Sequence, residues 1–152
     1  MPENITPVDN FNVDRYLGTW YEIARLDHRF ERGLEQVSAT YSKNKNGTLK
    51  VLNRGYKTKK NKWDEAIGKA KFAGEPDIGH LKVSFFGPFY GNYIIFDLDK
   101  ENYQYAYITG SENTLWFLSR TPMVSEASKN RFINTGRSLG YDVESLIFVN
   151  QQ

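Results

Sequence analysis

Cysteine is absent from this chain. No disulfide, thiolate nucleophile or cysteine metal site is therefore available, and the redox compartment stays open. Nor is there a run of about 18 apolar residues, so no segment reads as a membrane-spanning helix. Net charge is scarce, at +2, and supplies no bulk attraction to nucleic acid. Histidine is limited to His28 and His80. His28 beside Asp27 suggests a base and its orienter, but neighbours on an extended segment point to opposite faces, which argues against pairing. No His-x-x-x-His, no metal-spaced group of histidines and carboxylates and no Gly-x-Ser-x-Gly turn occurs, so neither a metal nor a cofactor nor catalysis is expected. Gly74, Gly79, Gly87 and Gly91 do not form a phosphate loop leading into a helix, and Asp97 with Asp99 is a pairing that any globular chain offers. The opening Met1-Pro2-Glu3-Asn4 lacks the charged and apolar regions of a signal peptide. That leaves a cytoplasmic chain or a mature or trimmed form.

What is present is aromatic. Phe, Trp and Tyr make up 15% of the residues, mostly Tyr and Phe, which favour strands. With 39% hydrophobic residues the chain can bury a core, and its 152 residues make one domain, 1–152. Alternation with period two recurs from residue 20 to residue 120. Eight strands follow from it: the run from Trp20, Val37 to Ser42, Thr48 to Tyr56, Trp63 to Phe72, His80 to Phe86, Tyr93 to Asp97, Tyr103 to Thr109 and Thr114 to Arg120. Asn46-Gly47 predicts a type I′ hairpin turn, Lys60-Asn61-Lys62 the next turn, and Gly87-Pro88-Phe89-Tyr90-Gly91 a loop. In that loop Phe89 and Tyr90 read as a lid, a self-association surface or ordinary packing. Short strands at this spacing argue a sandwich or an up-and-down barrel, and eight strands enclose room for one small ligand.

The period then changes. Pro122 ends the strands, Ser125 caps a helix with Glu126 in its first turn, and Gly140 stops it. The expected boundaries are a barrel over about 18–120, a helix over about 125–139 and a last strand over about 146–149. One helix after eight strands packs on the outside.

Gly18-Thr19-Trp20 and Arg120 are the pair that closes such a barrel. A guanidinium at the end of a strand stacks on an indole while hydrogen-bonding nearby carbonyls. If Arg120 points into the closed end, Trp116 and Leu118 share its face, and Leu115 and Phe117 point outward, toward the helix or a partner. By the same parity Trp20 shares its face with Glu22 and Ala24 unless a bulge intervenes, and a carboxylate there requires a hydrogen-bonded partner. A separate feature is the basic stretch from Lys43 to Lys71, offset by Asp64 and Glu65 alone. It reads either as the solvated face of exposed hairpins or as a patch for anionic lipid headgroups.

Gly18-Thr19-Trp20-Tyr21-Glu22-Ile23-Ala24-Arg25, the run Leu115 to Pro122 and the helix after it resemble the lipocalins. Asp27 to Leu34 and Lys82 to Gly91 are similar to the bacterial outer-membrane members in particular, and the resemblance runs from about Val8 to Gln151. It implies an all-β, eight-stranded antiparallel barrel with one external C-terminal helix, plugged by Gly18, Trp20 and Arg120. It further implies non-catalytic storage or transport of a fatty acid or lysophospholipid, a place on the periplasmic face of the bacterial outer membrane, membrane-surface contact and homodimers. The lipid-anchored members carry a signal peptide ending in an acylated cysteine, and neither is in this sequence. The family's middle motif is only approximated by Leu98-Asp99-Lys100-Glu101-Asn102-Tyr103, which implies a looser barrel floor. The similarity places Ala39, Tyr41, Val51, Val83, Phe85, Tyr93, Ile95 and Ala106 against the ligand, with Leu49 and Ala66 also inward, and the parity of Arg120 adds Trp116 and Leu118. Two alternatives stand beside it: an enzyme on the same barrel acting on a lipid or isoprenoid, which requires inward titratable groups, and a single-stranded nucleic-acid-binding barrel, which requires free aromatic faces beside the lysines.

Overall fold

Strands that bury one face must still satisfy both backbone edges, and closing the sheet on itself does so completely. The computed structural model of the chain describes residues 4–27, 31–86, 89–111 and 113–152. A one-turn helix α1 (Val13–Tyr16) leads into β1 (Gly18–Leu26), followed by β2 (Leu34–Lys43), β3 (Leu49–Lys57), β4 (Lys62–Phe72), β5 (His80–Phe86), β6 (Phe89–Leu98), β7 (Tyr105–Thr109) and β8 (Leu115–Ser119). Helix α2 (Glu126–Ser138) and a short β9 (Leu146–Phe148) end the chain. Every neighbour pair is antiparallel, and β1 closes the ring by pairing with β2 on one edge and β8 on the other. Where β2 leaves β1, β9 takes over that edge through Ala24–Leu26. Ser125 caps α2 by accepting from the Ser128 amide, as its side chain and position predict.

Three local readings change. Phe89-Tyr90-Gly91 belongs to β6 rather than to a loop, since Phe86 and Phe89 pair across the hairpin. Gly87-Pro88, like His28, lies outside the described residues. Tyr103 is no strand residue: its φ is 51°, and β7 starts at Tyr105. The Asn46-Gly47 turn is not type I′, because of these two only Gly47 has positive φ, at 86°. The Gly47 amide donates to Asn44 O at 3.2 Å, which is the type I turn with a left-handed glycine that longer hairpin loops use.

The two faces of the sheet make two cores. Inside the barrel pack Trp20, Ala39, Tyr41, Leu49, Val51, Ile95, Ala106 and Leu118, among others. Outside, Ile94, Tyr107, Leu115 and Phe117 meet Phe132 of α2, whose ring lies 4.9 Å from Tyr107 and 5.1 Å from Phe117. Leu115 and Phe117 thus face the helix as alternation requires, with Trp116 and Leu118 on the inner side.

The floor is sealed by Trp20 and Arg120. The guanidinium sits 3.9 Å from the indole centroid and donates to Thr19 O, Arg15 O and Tyr103 O at 3.1, 2.8 and 3.2 Å. Trp20 Nε1 donates to Tyr16 O at 2.8 Å. Gly18 has φ of 103°, and a Cβ there would stand 3.3 Å from Arg120 Nη1, so both conformation and space call for glycine. The floor is also tighter than the approximate middle motif implied. Asp99 accepts from the Asn102 and Gln104 amides, and Arg15 lies 4.4 Å over Tyr103 while donating to Lys100 O and Glu101 O.

Replacing Arg120 by Ala removes the stack and three hydrogen bonds to carbonyls. Stability measured by urea unfolding should fall by about 1–2 kcal/mol, the sum expected of a partly exposed cation–π contact and a few modest bonds. An unchanged midpoint would show that the floor closes without it.

Candidate ligand-binding site

All ten residues expected against a ligand, by resemblance or by parity with Arg120, converge on the barrel interior. Ala39, Tyr41, Val51, Ile95, Ala106 and Leu118 are buried there, and Val83, Phe85, Tyr93 and Trp116 pack against them half-buried. Cross-strand register explains the convergence: Trp20 opposes Ala39, Tyr41 opposes Val51, Ala106 opposes Leu118 and Ile108 opposes Trp116. Residues directly opposite one another share a face. The mouth lies at the end away from Trp20, where Phe85 and Trp116 stand and solvent reaches inward side chains. Ala66 is different. It opposes Asn53 on the inner side but is exposed, because β4 meets β5 only from Lys69 to Phe72. Above that point the wall parts, and the Phe85 ring lies over Gly68, where a Cβ would be 2.7 Å from it.

Ala24 is not inward. The pairing of β1 with β8 slips between Glu22 and Ala24, which puts Ala24 opposite Phe117 in the outer core and brings Arg25 opposite Trp116 on the inner side. This bulge turns Glu22 and Arg25 to the same face, three residues apart instead of two. Arg25 Nη1 donates to Glu22 Oε2 at 3.0 Å, and both side chains are buried. Arg25 Nη2 donates to Glu31 O at 2.9 Å, and Trp116 Nε1 to Glu31 Oε1 at 3.0 Å. A buried carboxylate needs a partner, and Arg25 is that partner. Burial and the neighbouring Glu31 carboxylate nonetheless push Glu22 well above the ordinary carboxylate range, against the pull of Arg25. The shift favours the protonated form of Glu22.

A second polar group lies deeper. Tyr93 Oη is 2.6 Å from Tyr16 Oη and 2.8 Å from Tyr41 Oη. Burial raises all three phenols, so the hydroxyls stay protonated. Three hydroxyl hydrogens serve these two contacts, which leaves one donor without a use inside the triad. Tyr16, Arg25 and Glu31 were not among the expected site residues. Tyr16 enters through α1, too short to show a helical period, and Arg25 through a bulge that period-two reading cannot see. Of the two histidines, His80 lies among the described residues and hydrogen-bonds Asn92 at 3.1 Å. No group of three or more metal-binding side chains occurs among the described residues.

The family profile described as a lipocalin-like domain matches residues 11–151. The chain belongs to the lipocalin family. Outer membrane lipoprotein Blc of Vibrio cholerae is 52% identical to this lipocalin, covering 100% of this chain and 90% of its own. The Escherichia coli K12 protein of the same name is 50% identical over 99% of this chain and 85% of its own. Among solved structures, insecticyanin of the tobacco hornworm Manduca sexta superimposes with a TM-score of 0.77 at 19% identity, covering 99% of this chain and 86% of that one, a likeness of fold. The lipocalin fold and the binding of a hydrophobic ligand by the family agree with an inner surface of aromatics and alanines.

A carboxyl whose folded pKa lies above its unfolded value of about 4.3 favours folding while protonated, and that contribution is lost as pH rises through the folded value. Glu22→Gln keeps the shape without the titration. Its stability should equal the parent's near pH 4.5 and match or exceed it at pH 8, with a flatter profile between, measured by urea unfolding. A loss of about 3 kcal/mol at pH 8 would instead mark Glu22 as a fully ionised partner of Arg25.

Proposed function

We propose that this lipocalin binds the acyl chain of a fatty acid or lysophospholipid inside the barrel, as a carrier without turnover at the periplasmic face of the outer membrane. The observation that carries the reading is the inner surface itself. Phe85, Trp116 and Val83 form a half-buried apolar rim above small Ala39 and Ala106, over a floor closed by Trp20 and Arg120. Small side chains leave volume where larger ones would fill it. Each methylene taken from water contributes about 0.8 kcal/mol, so a fifteen-carbon tail contributes on the order of 12 kcal/mol gross. Ordering costs remove several of these, leaving about micromolar affinity or tighter. The polar end of the ligand has donors inside, the spare hydroxyl of the tyrosine triad and the Arg25 Nε–H, which is buried without an acceptor among the described residues. The outer-membrane placement is supported by the names of the Vibrio and Escherichia relatives.

Catalysis has one observation in its favour, the inward carboxyl pair of Glu22 and Glu31. Both are engaged, Glu22 by Arg25 and Glu31 by Trp116, and no serine, threonine or histidine hydrogen-bonds either carboxyl among the described residues. The arrangement fits a clasp on the segment between β1 and β2 better than an acid and base facing a substrate.

Mass spectrometry of lipids co-extracted with the purified protein should find stoichiometric single-chain lipids. Trp116→Ala and Phe85→Asp should each weaken uptake of a fluorescent fatty acid about tenfold or more while unfolding stays cooperative. Unchanged affinity in both variants would place the ligand elsewhere.

A further inference from the structure

Much of the basic stretch singled out in the sequence, with Lys50, Arg54, Lys69 and Lys71, lies on the outer face of one hairpin. Strands β3 and β4 and the turn between them carry two carboxylates, Asp64 and Glu65, and both are taken, by Lys57 at 3.4 Å and Arg54 at 3.3 Å. Lys50, Lys59, Lys60, Lys62, Lys69 and Lys71 have no carboxylate partner among the described residues. Register sets two pairs face to face on the outer side: Lys50 opposes Lys69, and Lys71 opposes Lys82 of β5, while Lys57 and Lys62, opposite each other near the mouth, take the parity of Asn53 and Ala66. Like charges directly opposite weaken a sheet, so these pairs contribute nothing to the barrel by themselves. An external layer of negative charge relieves them.

Apolar side chains are interleaved with the cations. Ile67 is 63% exposed, opposite Leu52 on the outer face, and Trp63 is 40% exposed, edge-on to Tyr56 at 5.3 Å. Phe89, 79% exposed, stands on the neighbouring open-end hairpin. Both hairpins edge the mouth. Trp and Tyr with lysines around them are the composition that settles at the boundary between headgroups and hydrocarbon.

We propose that the outer face of the β3–β4 hairpin, with Phe89 beside its open end, docks this protein side-on onto an anionic lipid bilayer, so that one edge of the mouth meets the headgroups. Charge on flexible stems spread across an open sheet suits a plane of headgroups rather than one phosphate in a socket. A single-stranded nucleic acid is a poorer fit, because base stacking needs a free ring face, and Arg54 lies 3.7 Å over the Trp63 ring. The mouth then takes its guest from the bilayer without a passage through water. The purpose of docking rests on the lipid-carrier reading, but the contact itself does not.

Sedimentation of the full chain with vesicles tests it, using phosphatidylcholine alone and with about 30% phosphatidylglycerol, at about 0.1 and 0.5 M salt. Binding should require the anionic lipid and fade at high salt. The double variant Lys50→Glu, Lys69→Glu should bind at least tenfold more weakly, since each lysine lost weakens partitioning about fivefold. Ile67→Asp should also weaken it, and both variants should take up the fluorescent fatty acid like the parent. Equal partitioning of parent and variants, no binding at low salt, or preference for a single-stranded oligonucleotide over the anionic vesicles would overturn the proposal. Vesicle binding without any fatty-acid uptake would sustain the docking surface and refute the carrier reading instead.

Discussion

The stack of Arg120 on Trp20 is the constraint on which the cup depends. A barrel wide enough to hold a ligand is open at both ends unless something seals one. Here a planar cation covers a fully buried indole and ties the end of β8 to Arg15, Thr19 and Tyr103. Those carbonyls come from α1, β1 and the turn before β7, so three separate segments meet at one guanidinium. An ammonium could not serve in the same way, because it lacks the flat face and the divergent donors. Below this seal the aromatic floor of Phe11, Tyr16 and Tyr103 is dry, and above it the inner wall is progressively wetter.

Much of this was legible from alternation. On β8 period two holds without interruption, so Trp116 and Leu118 inside and Leu115 and Phe117 outside follow directly from the sequence. On β1 it fails after Glu22, because the bulge gives no residue signature: Ile23 and Ala24 are ordinary strand formers. Two consequences went unseen together, the outward turn of Ala24 and the inward turn of Arg25. The need for a partner to Glu22 was visible from burial alone, but which residue met it was not. Asn46-Gly47 shows a subtler limit. The dipeptide marks a hairpin, yet the loop length, fixed by the Asn44–Thr48 hydrogen bond, selects the turn type. The floor motif departs from the family in letters while Asp99 still performs the capping, so local chemistry survived a change that pattern matching weighs heavily.

Interior polarity gives the cup a direction. Tyr16, Tyr93 and Tyr41 form a chain from the floor upward, and Glu22, Arg25 and Glu31 continue it toward the mouth. Val51, Val83 and Phe85 line other parts of the wall and offer no donors. One side of the inner wall therefore carries hydrogen-bonding groups and another is hydrocarbon. The outside repeats the division, with an apolar seam under α2 and a cationic sheet face on β3 and β4.

The parted wall beside Ala66 has a mechanical meaning. From Lys62 to Ile67, β4 is laddered to β3 alone, and its rungs to β5 begin only at Lys69. Amides that point to that margin have no strand to donate to, so their protons exchange with solvent ahead of those in the paired ring, while β3 stays laddered to β2 from Lys57 to Leu49.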